Sequence, residues 1–226
     1  MRFKDVFSII GPSMVGPSSS HTAGALRIGR TARRLFGTQP EAAEIVLYGS
    51  FAETYMGHGT DLALAAGLLD FETDDMRIRD ALRLAELSGM NVTFGKGKGP
   101  FAHPNTVRLT LSGGGRQDAI VGASIGGGNI EMTDVNGFDV KFTVRTPTLF
   151  VFHGDRPGIV AEVTGLLGRE GVNIGYMDVD RKSRRGDALT VIETDEAVSA
   201  ALQDTIRGMK DVTRVGLVDL TAGGGA

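Results

Sequence analysis

Apolar residues in the first part of the chain recur at intervals of three and four, the spacing that lines one face of a helix. Three segments show this pattern, and they lie at 25–36, 62–69 and 74–88. Gly37 and Gly89 follow the first and the third segment, and glycine is typical of a helix end. A run of mostly aliphatic residues at 44–50 predicts a strand between the first two helices.

Beyond residue 91 the apolar segments become shorter and are separated by glycine, which is typical of strands joined by turns. The expected strands lie at 92–94, 107–111, 119–125, 130–135 and 140–144. Helices followed by strands predict a mixed α/β domain, which we place at residues 1–145.

A different order of elements begins after the short boundary at 145–148. The pattern is β-α-β-β-α-β, with strands at 149–152, 174–181, 188–194 and 212–218 and with helices capped by Asp155 and Asp195. This order is the split βαβ arrangement of ferredoxin-like domains. We therefore expect an α+β chain in which a ferredoxin-like domain at 148–220 follows the first domain, with a flexible tail at 221–226.

The composition is that of an ordinary globular protein and disfavours several classes of function. The 226 residues are 41% hydrophobic and 23% charged, with a net charge of −3, so we expect no nucleic-acid partner. No apolar run approaches the roughly 18 residues of a membrane span. The start at 1–5 leads to no apolar signal-peptide core, so we expect a cytoplasmic protein. Because the chain has no cysteine, it cannot bind zinc or an iron–sulfur cluster through thiolates.

Three serines and a histidine directly precede the first helix. Ser18, Ser19 and Ser20 follow a loop with two Gly-Pro steps, and each is suited to cap the helix. A helix start offers free backbone N–H groups and the positive end of the dipole. Together with the hydroxyl groups and the imidazole of His21, it makes a candidate site for a carboxylate or a phosphate. The alternative is a simple helix cap.

Two other motifs combine a histidine with turn-forming residues. His58 lies between two glycines, where a ligand has room to approach, and Thr60 and Asp61 follow it. The alternative is a tight turn in which one of these two residues caps the next helix. His103 and Asn105 flank a proline, which is equally consistent with a surface turn.

Two glycine-rich segments are further candidates. Gly126, Gly127 and Gly128 allow backbone N–H groups to approach a ligand, although a hairpin turn or a bulge would use them as well. Lys96 and Lys98 alternate with glycines and resemble a mobile anion-binding loop, but we favour a solvated loop.

The motifs occur in the order found in one family. They are GPS at 11–13, GPSSSHT at 16–22, GHGTD at 57–61, HPN at 103–105 and SIGGGNI at 124–130. In these motifs the chain resembles the β chain of bacterial iron–sulfur-dependent L-serine dehydratase. The turn at 155–160 and the return at 170–174 resemble those of an ACT domain, a small amino-acid-sensing module.

The resemblance implies a lyase subunit that takes part in converting L-serine to pyruvate and ammonia. In that family a four-iron–four-sulfur cluster, held by cysteines of the α chain, acts as Lewis acid on the substrate hydroxyl while a base removes the α-proton. The lack of cysteine here fits a chain that is inactive without its α partner and that positions groups and stabilises charge. Which chain supplies the base stays open.

The resemblance also implies roles for the motif residues. The catalytic candidates are His21, His58 and Ser20. The substrate-binding candidates are Ser18, Ser19, Ser20, Thr22, Thr60, Asp61, His103, Asn105, Gly126, Gly127 and Gly128. For the ACT-like domain it implies pairing into a homo-oligomer and an amino-acid site at the start of its first helix. The regulatory-ligand candidates there are Asp155, Pro157, Gly158, Asn173 and Ile174.

Two other functions remain open at this point. The first domain also resembles the allosteric substrate-binding domain of some phosphoglycerate dehydrogenases, so the chain could be a non-catalytic sensor of an amino acid or an anion. A stand-alone metal or phosphate enzyme is disfavoured, because the sequence has no Walker loop, no compact His-Glu motif and no thiol. A partner chain with cluster-binding cysteines distinguishes the lyase from the sensor.

Overall fold

The computed structural model describes residues 13–221. These residues form two compact units, 13–136 and 137–221. The division precedes the boundary expected at residue 145, because the strand at 138–142 packs within the second unit. Gly11 and Pro12 of the first motif, and the expected tail beyond residue 221, lie outside the described residues. Within 13–221 no helix is long and apolar enough to cross a membrane.

The first unit is a sheet with helices packed on one face. Its helices are α1 (Ala25–Phe36), α2 (Gly49–Thr54), α3 (Thr60–Leu68) and α4 (Ala81–Leu87). Its strands are β1 (Ala42–Leu47), β2 (Asn91–Lys96), β3 (Thr106–Gly113), β4 (Arg116–Gly126) and β5 (Asn129–Val135). They lie in the order β2-β1-β3-β4-β5, with β1 parallel to β2 and the other neighbours antiparallel. α1 packs on β3, β4 and β5 and buries the apolar face of the sheet.

Two helices of this unit begin differently from the sequence pattern. Neither Thr60 nor Asp61 caps α3, because the helix begins at Thr60 and its N-cap is Gly59, at φ +67°. The helix expected over 74–88 is divided, since a 3-10 helix, Met76–Asp80, precedes α4.

Two glycines allow α1 and α3 to cross at backbone contact. A Cβ on Gly67 of α3 would lie 2.2 Å from the carbonyl oxygen of Leu26 and 2.7 Å from the backbone nitrogen of Arg30. A Cβ on Gly29 of α1 would lie 2.5 Å from the carbonyl oxygen of Leu64. Because these neighbours are backbone atoms, they cannot move aside as a side chain can. The crossing therefore fixes the spacing of the segments that precede the two helices.

We expect Gly67→Ala to lower the free energy of unfolding by about 1–3 kcal/mol, the usual cost of overpacking a core. Gly168→Ala is the control, since a Cβ on that helical glycine meets nothing within 4 Å. The control should be neutral or stabilising by about 0.5–1 kcal/mol, the usual gain of alanine over glycine in a helix. Guanidinium unfolding of both variants measures the difference. An unchanged midpoint for Gly67→Ala would show that the helices can separate without cost.

The second unit confirms the ferredoxin-like order β-α-β-β-α-β. Its elements are β7 (Thr148–Gly154), α5 (Ile159–Arg169), β8 (Ile174–Arg181), β9 (Asp187–Thr194), α6 (Ala200–Arg207) and β10 (Val212–Val218). The antiparallel sheet has the order β10-β7-β9-β8. Both helices pack on one face, where Leu149, Val163 and Leu202 share a core.

The opposite face of this sheet is covered by β6 (Phe138–Phe142). The ring centroid of Phe142 lies 4.9 Å from that of Phe150 in an edge-to-face contact, an arrangement that aromatic pairs favour. Backbone N–H groups of β6 donate to carboxylates of β8, from Asp139 to Asp180 at 2.8 Å and from Lys141 to Asp178 at 2.9 Å. β6 is thus an additional strand that covers the sheet.

The expected aspartate caps of α5 and α6 are wrong. Gly158, at φ +87°, is the N-cap of α5, and Asp155 accepts hydrogen bonds from the Arg181 side chain and a backbone N–H instead. Ser199 caps α6 through its hydroxyl, which accepts from the backbone N–H of residue 202 at 3.2 Å. Asp195 does not cap the helix but accepts a hydrogen bond from the side-chain amide of Asn173 at 2.6 Å.

Candidate functional site

A π-helical turn, Ser19–Gly24, directly precedes α1. Ser18 is its N-cap, and the Ser18 hydroxyl accepts a hydrogen bond from the backbone N–H of His21 at 3.2 Å. The turn packs closely on β4, because a Cβ on Gly24 would lie 2.0 Å from the Ser124 hydroxyl oxygen. Single π-turns are rare and occur frequently at functional sites. Ser19 and Ser20 are half-buried within this turn.

The imidazole of His21 has a hydroxyl group near each ring nitrogen. Nδ1 lies 3.5 Å from the hydroxyl oxygen of Ser18, and Nε2 lies 3.3 Å from that of Ser50. The ring of Phe51 contacts the imidazole edge-to-face at 5.2 Å, and the ring of His58 lies 4.9 Å away. The structure therefore brings together the histidines of two motifs that are far apart in sequence.

The surroundings of His21 favour its neutral form. Burial lowers the pKa of His21 below its usual value of 6.5, and the charge of His58 lowers it further. The unfolded chain, in which the pKa of His21 is near 6.5, therefore binds a proton at a higher pH than the folded chain does. As a result, the free energy of unfolding decreases as the pH falls through 6.5. Near pH 7 the imidazole of His21 is neutral.

His58 borders a small cavity next to this pair. The cavity has a volume of about 180 Å³, and the residues lining it include Thr22, Leu62, Ile78 and Arg79. It is below the roughly 300–1,000 Å³ of pockets for drug-sized ligands, so it suits a smaller molecule. Nδ1 of His58 and the hydroxyl of Thr22 are buried and have no hydrogen-bond partner among residues 13–221. An unsatisfied buried polar group costs about 1–3 kcal/mol, and such groups are usually satisfied by an ordered water, a ligand or a partner chain.

Thr60 and Asp61 follow His58 at the start of α3. Thr60 is fully buried, and its hydroxyl oxygen has no hydrogen-bond partner within the described chain. Burial raises the pKa of Asp61, although its carboxylate accepts a hydrogen bond from the backbone N–H of Leu62 at 2.9 Å. Both residues are therefore close to the His58 segment, but neither is among those that line the small cavity.

The histidine of the third motif lines a different cavity, of about 320 Å³. His103 lies there with Lys98 and Arg108, and its Nδ1 accepts a hydrogen bond from the backbone N–H of Asn105 at 3.1 Å. The amide of Asn105 donates to the carbonyl oxygen of Ser124 at 3.4 Å, which connects this loop to β4. The structure thus separates His103 from the cavity beside His58.

The glycines of the fourth motif form the turn between β4 and β5. Their φ angles are +99° at Gly126, +61° at Gly127 and +76° at Gly128, and Gly126 pairs with Asn129 across the hairpin. Two successive residues at positive φ are typical of a tight hairpin turn, which only glycine adopts without strain. Their conformation is explained by the hairpin alone.

Ser50 is a residue of this site that the sequence pattern missed. It lies in the first turn of α2, where we expected the end of a strand at 44–50. Gly49, at φ +52°, turns the chain from β1 into α2. The available signal was Gly49, which follows the apolar run at 45–48 and precedes Ser50. A glycine at that place indicates a turn, but it does not indicate which residue the serine contacts.

The candidates of the second unit lie around the start of α5 and β8. Gly158 is the N-cap of α5, and Pro157 is exposed next to it. The Asn173 amide donates to Asp195 at 2.6 Å, and its backbone N–H donates to Glu196 at 2.9 Å. Ile174 begins β8 directly after it.

The donor groups of the chain do not fit an iron–sulfur cluster. The sequence has no cysteine to supply thiolate ligands. Among residues 13–221, no three side chains of His, Asp or Glu are grouped so that they would hold a metal ion.

Comparison with known proteins gives consistent matches along the chain. The family model described as serine dehydratase beta chain matches residues 3–135, and the ACT domain model matches 147–210. The chain is 45% identical over 215 residues to "Probable L-serine dehydratase, beta chain" of Bacillus subtilis, covering 95% of this chain and 98% of that protein. It is 34% identical to "L-serine dehydratase, beta chain" of Peptoniphilus asaccharolyticus, with 95% and 97% covered. A D-3-phosphoglycerate dehydrogenase of Synechocystis is 28% identical, over 84% of this chain but only 35% of that protein.

Proposed function

Because the chain belongs to the serine dehydratase beta chain family, we propose that it is the β subunit of an L-serine dehydratase. In this proposal it converts L-serine to pyruvate and ammonia together with an α chain. The observation that carries the proposal is the pair His21 and His58, whose rings lie 4.9 Å apart beside a cavity with unpartnered polar atoms.

The proposal assigns substrate binding to the side chains around the small cavity. Arg79 and Thr22 are among the residues that line it, and an arginine suits a carboxylate, which it binds through paired hydrogen bonds. Ser18, Ser19 and Ser20 lie in or next to the same turn and contribute further hydroxyl groups. Their part is to fix the position of the substrate before a bond breaks.

Proton transfer is assigned to His58, with His21 beside it. Removal of the α-proton needs a base within hydrogen-bond reach, and a histidine is the commonest such group. Nδ1 of His58 is unpartnered within the described residues, whereas both nitrogens of His21 lie near hydroxyl groups. His21 packs against His58, with the ring centroids 4.9 Å apart, and so helps to hold the imidazole of His58 in place.

The iron–sulfur cluster of the family is assigned to the α chain, since this chain offers no cysteine. No step of this chain's part passes through the cluster. Anaerobic co-expression with an α chain of the family, followed by size-exclusion chromatography, tests the partnership. We expect the two chains to elute together at a fixed ratio. An α chain that deaminates L-serine equally well without this chain would overturn the proposal.

A second candidate function rests on the cavity around His103. Lys98 and Arg108 line it together with one acidic residue, Glu131, so the cationic groups outnumber the carboxylate and the cavity suits a small anion. The similarity to a phosphoglycerate dehydrogenase favours a sensing role of this kind. Calorimetric titration with phosphate and with L-serine, on the chain and on Arg108→Ala, tests it. A sensor would bind without any α chain, and binding by neither anion would exclude it.

We also propose that the second unit mediates pairing into a homo-oligomer. β8 is an edge strand of its sheet, and three of its apolar side chains, Tyr176, Met177 and Val179, are 38–44% exposed. An apolar edge strand is a template for pairing with another chain. A second copy of this unit would cover the edge.

We expect L-serine to stabilise the second unit by binding near Gly158 and Asn173. A ligand at a hundred times its Kd stabilises the fold by about 2.7 kcal/mol, which is several degrees of melting temperature for a small domain. Thermal melting of the full chain with millimolar L-serine measures the shift. The matched variant Asn173→Ala should lose it. No shift with any amino acid would leave the unit a role in assembly alone, and a shift unaffected by Asn173→Ala would place the site elsewhere.

A further inference from the structure

Ser50 is held rigidly beside His21 by contacts that do not involve its hydroxyl. The backbone N–H of Phe51 donates to the carbonyl oxygen of Pro104 at 3.4 Å, and the Thr54 hydroxyl donates to the carbonyl oxygen of Ser50 at 2.8 Å. A Cβ on Gly49 would lie 2.6 Å from the Pro104 carbonyl oxygen, so the start of α2 is fixed against this loop. These contacts hold the backbone at the start of α2 in place, with the Ser50 hydroxyl beside His21.

Helix capping does not explain this hydroxyl. The N-cap of α2 is Tyr48, which makes no side-chain capping bond. The Ser50 hydroxyl oxygen points to Nε2 of His21 at 3.3 Å instead. On the other side of the ring, the Ser18 hydroxyl accepts from the His21 backbone N–H at 3.2 Å and lies 3.5 Å from Nδ1, so the contact with Ser50 is the shorter of the two hydroxyl contacts to the ring.

We propose that Ser50 is a positioning residue, whose hydroxyl fixes the ring orientation of His21 through its contact with Nε2. The inference rests on the proposed function and deepens it. A hydroxyl can both donate and accept, so it can bond Nε2 in either tautomer. The fixed ring of His21 packs against the ring of His58, with 4.9 Å between the centroids. This contact restricts the rotation of the His58 imidazole beside the cavity that His58 lines.

The test compares Ser50→Ala, which removes the hydroxyl, with Ser50→Thr, which keeps one. Ser183→Ala is the control, because Ser183 is an exposed serine in the hairpin of the other unit. The first readout is the imidazole ¹⁵N spectrum of the chain alone, whose four histidines are assigned by single substitution. Ser50→Ala should shift the His21 Nε2 resonance, because that nitrogen loses its hydroxyl partner, and Ser50→Thr and Ser183→Ala should leave the His21 ring shifts unchanged.

The second readout is steady-state kinetics of the variant chains assembled with the α partner. Ser50→Ala should lower kcat by roughly 2- to 10-fold, the rate equivalent of one hydrogen bond, with KM nearly unchanged. Ser50→Thr should recover most of the rate. If Ser50→Ala does not fold, Ser50→Cys, a close match in size with a weak donor, replaces it.

The two readouts separate this inference from the proposed function. Unchanged His21 ring shifts in Ser50→Ala overturn the inference, whatever the activity. A lowered kcat with unchanged ring shifts also overturns it, because Ser50 would then act without His21. Absence of activity in the parent assembly contradicts the proposed function, while the ring shifts still decide the role of Ser50.

Discussion

His58→Ala should lower the turnover of the assembled enzyme by roughly 10²- to 10⁴-fold, the usual contribution of a positioned acid–base group. Nδ1 of His58 is buried without a hydrogen-bond partner in the described part of the chain, and His58 is among the residues that line a cavity of about 180 Å³. Loss of the imidazole removes the group best placed there to accept the α-proton. The fold should be kept, because His58 lies in a partly exposed loop.

The measurement is kcat for pyruvate formation, with thermal melting of the variant chain to check the fold. Met56→Ala is the matched control, since its side chain is 72% exposed in the same segment. The control should keep the parent rate. A rate for His58→Ala within a few-fold of the parent would return His58 to a structural role and would contradict its assignment as the base.

The second large effect is expected for His21→Ala, which should also lower turnover by about 10²-fold or more. The ring of His21 contacts that of His58 at 4.9 Å, so its loss removes a group that holds the His58 imidazole in place. Because the two rings act as a unit, the double variant His21→Ala/His58→Ala should be little slower than the slower single variant.

A cycle of the parent, the two single variants and the double variant measures this coupling. Multiplicative effects of the two substitutions would show that the histidines act independently. Activity of His21→Ala within a few-fold of the parent would make His21 a residue that merely packs against Phe51 and His58.

The sequence was sufficient for the fold of the second unit but not for its helix caps. The periodicity of apolar residues predicted β-α-β-β-α-β, because the core of that unit follows directly from which side chains are buried. Asp155 and Asp195 were wrong as caps, since each accepts hydrogen bonds from residues that are distant in sequence. Such long-range partners do not appear in local patterns.

The sequence was likewise sufficient for part of the candidate site only. The motifs contain His21 and His58, but their proximity depends on the close crossing of α1 and α3 at Gly29 and Gly67, which is a tertiary feature. Ser50 could not be found from sequence, because its role depends on Gly49 turning the chain after β1 and on a contact across 29 positions.

Anaerobic assay of pyruvate formation from L-serine tests the central claim most directly. This chain alone, an α chain with cluster-binding cysteines alone, and the two chains assembled are compared at equal concentration. We predict turnover by the assembly and none above background by this chain alone, which has no cysteine to hold the cluster. Turnover by the rigorously purified chain alone, or an assembly that leaves L-serine unchanged, would contradict the account.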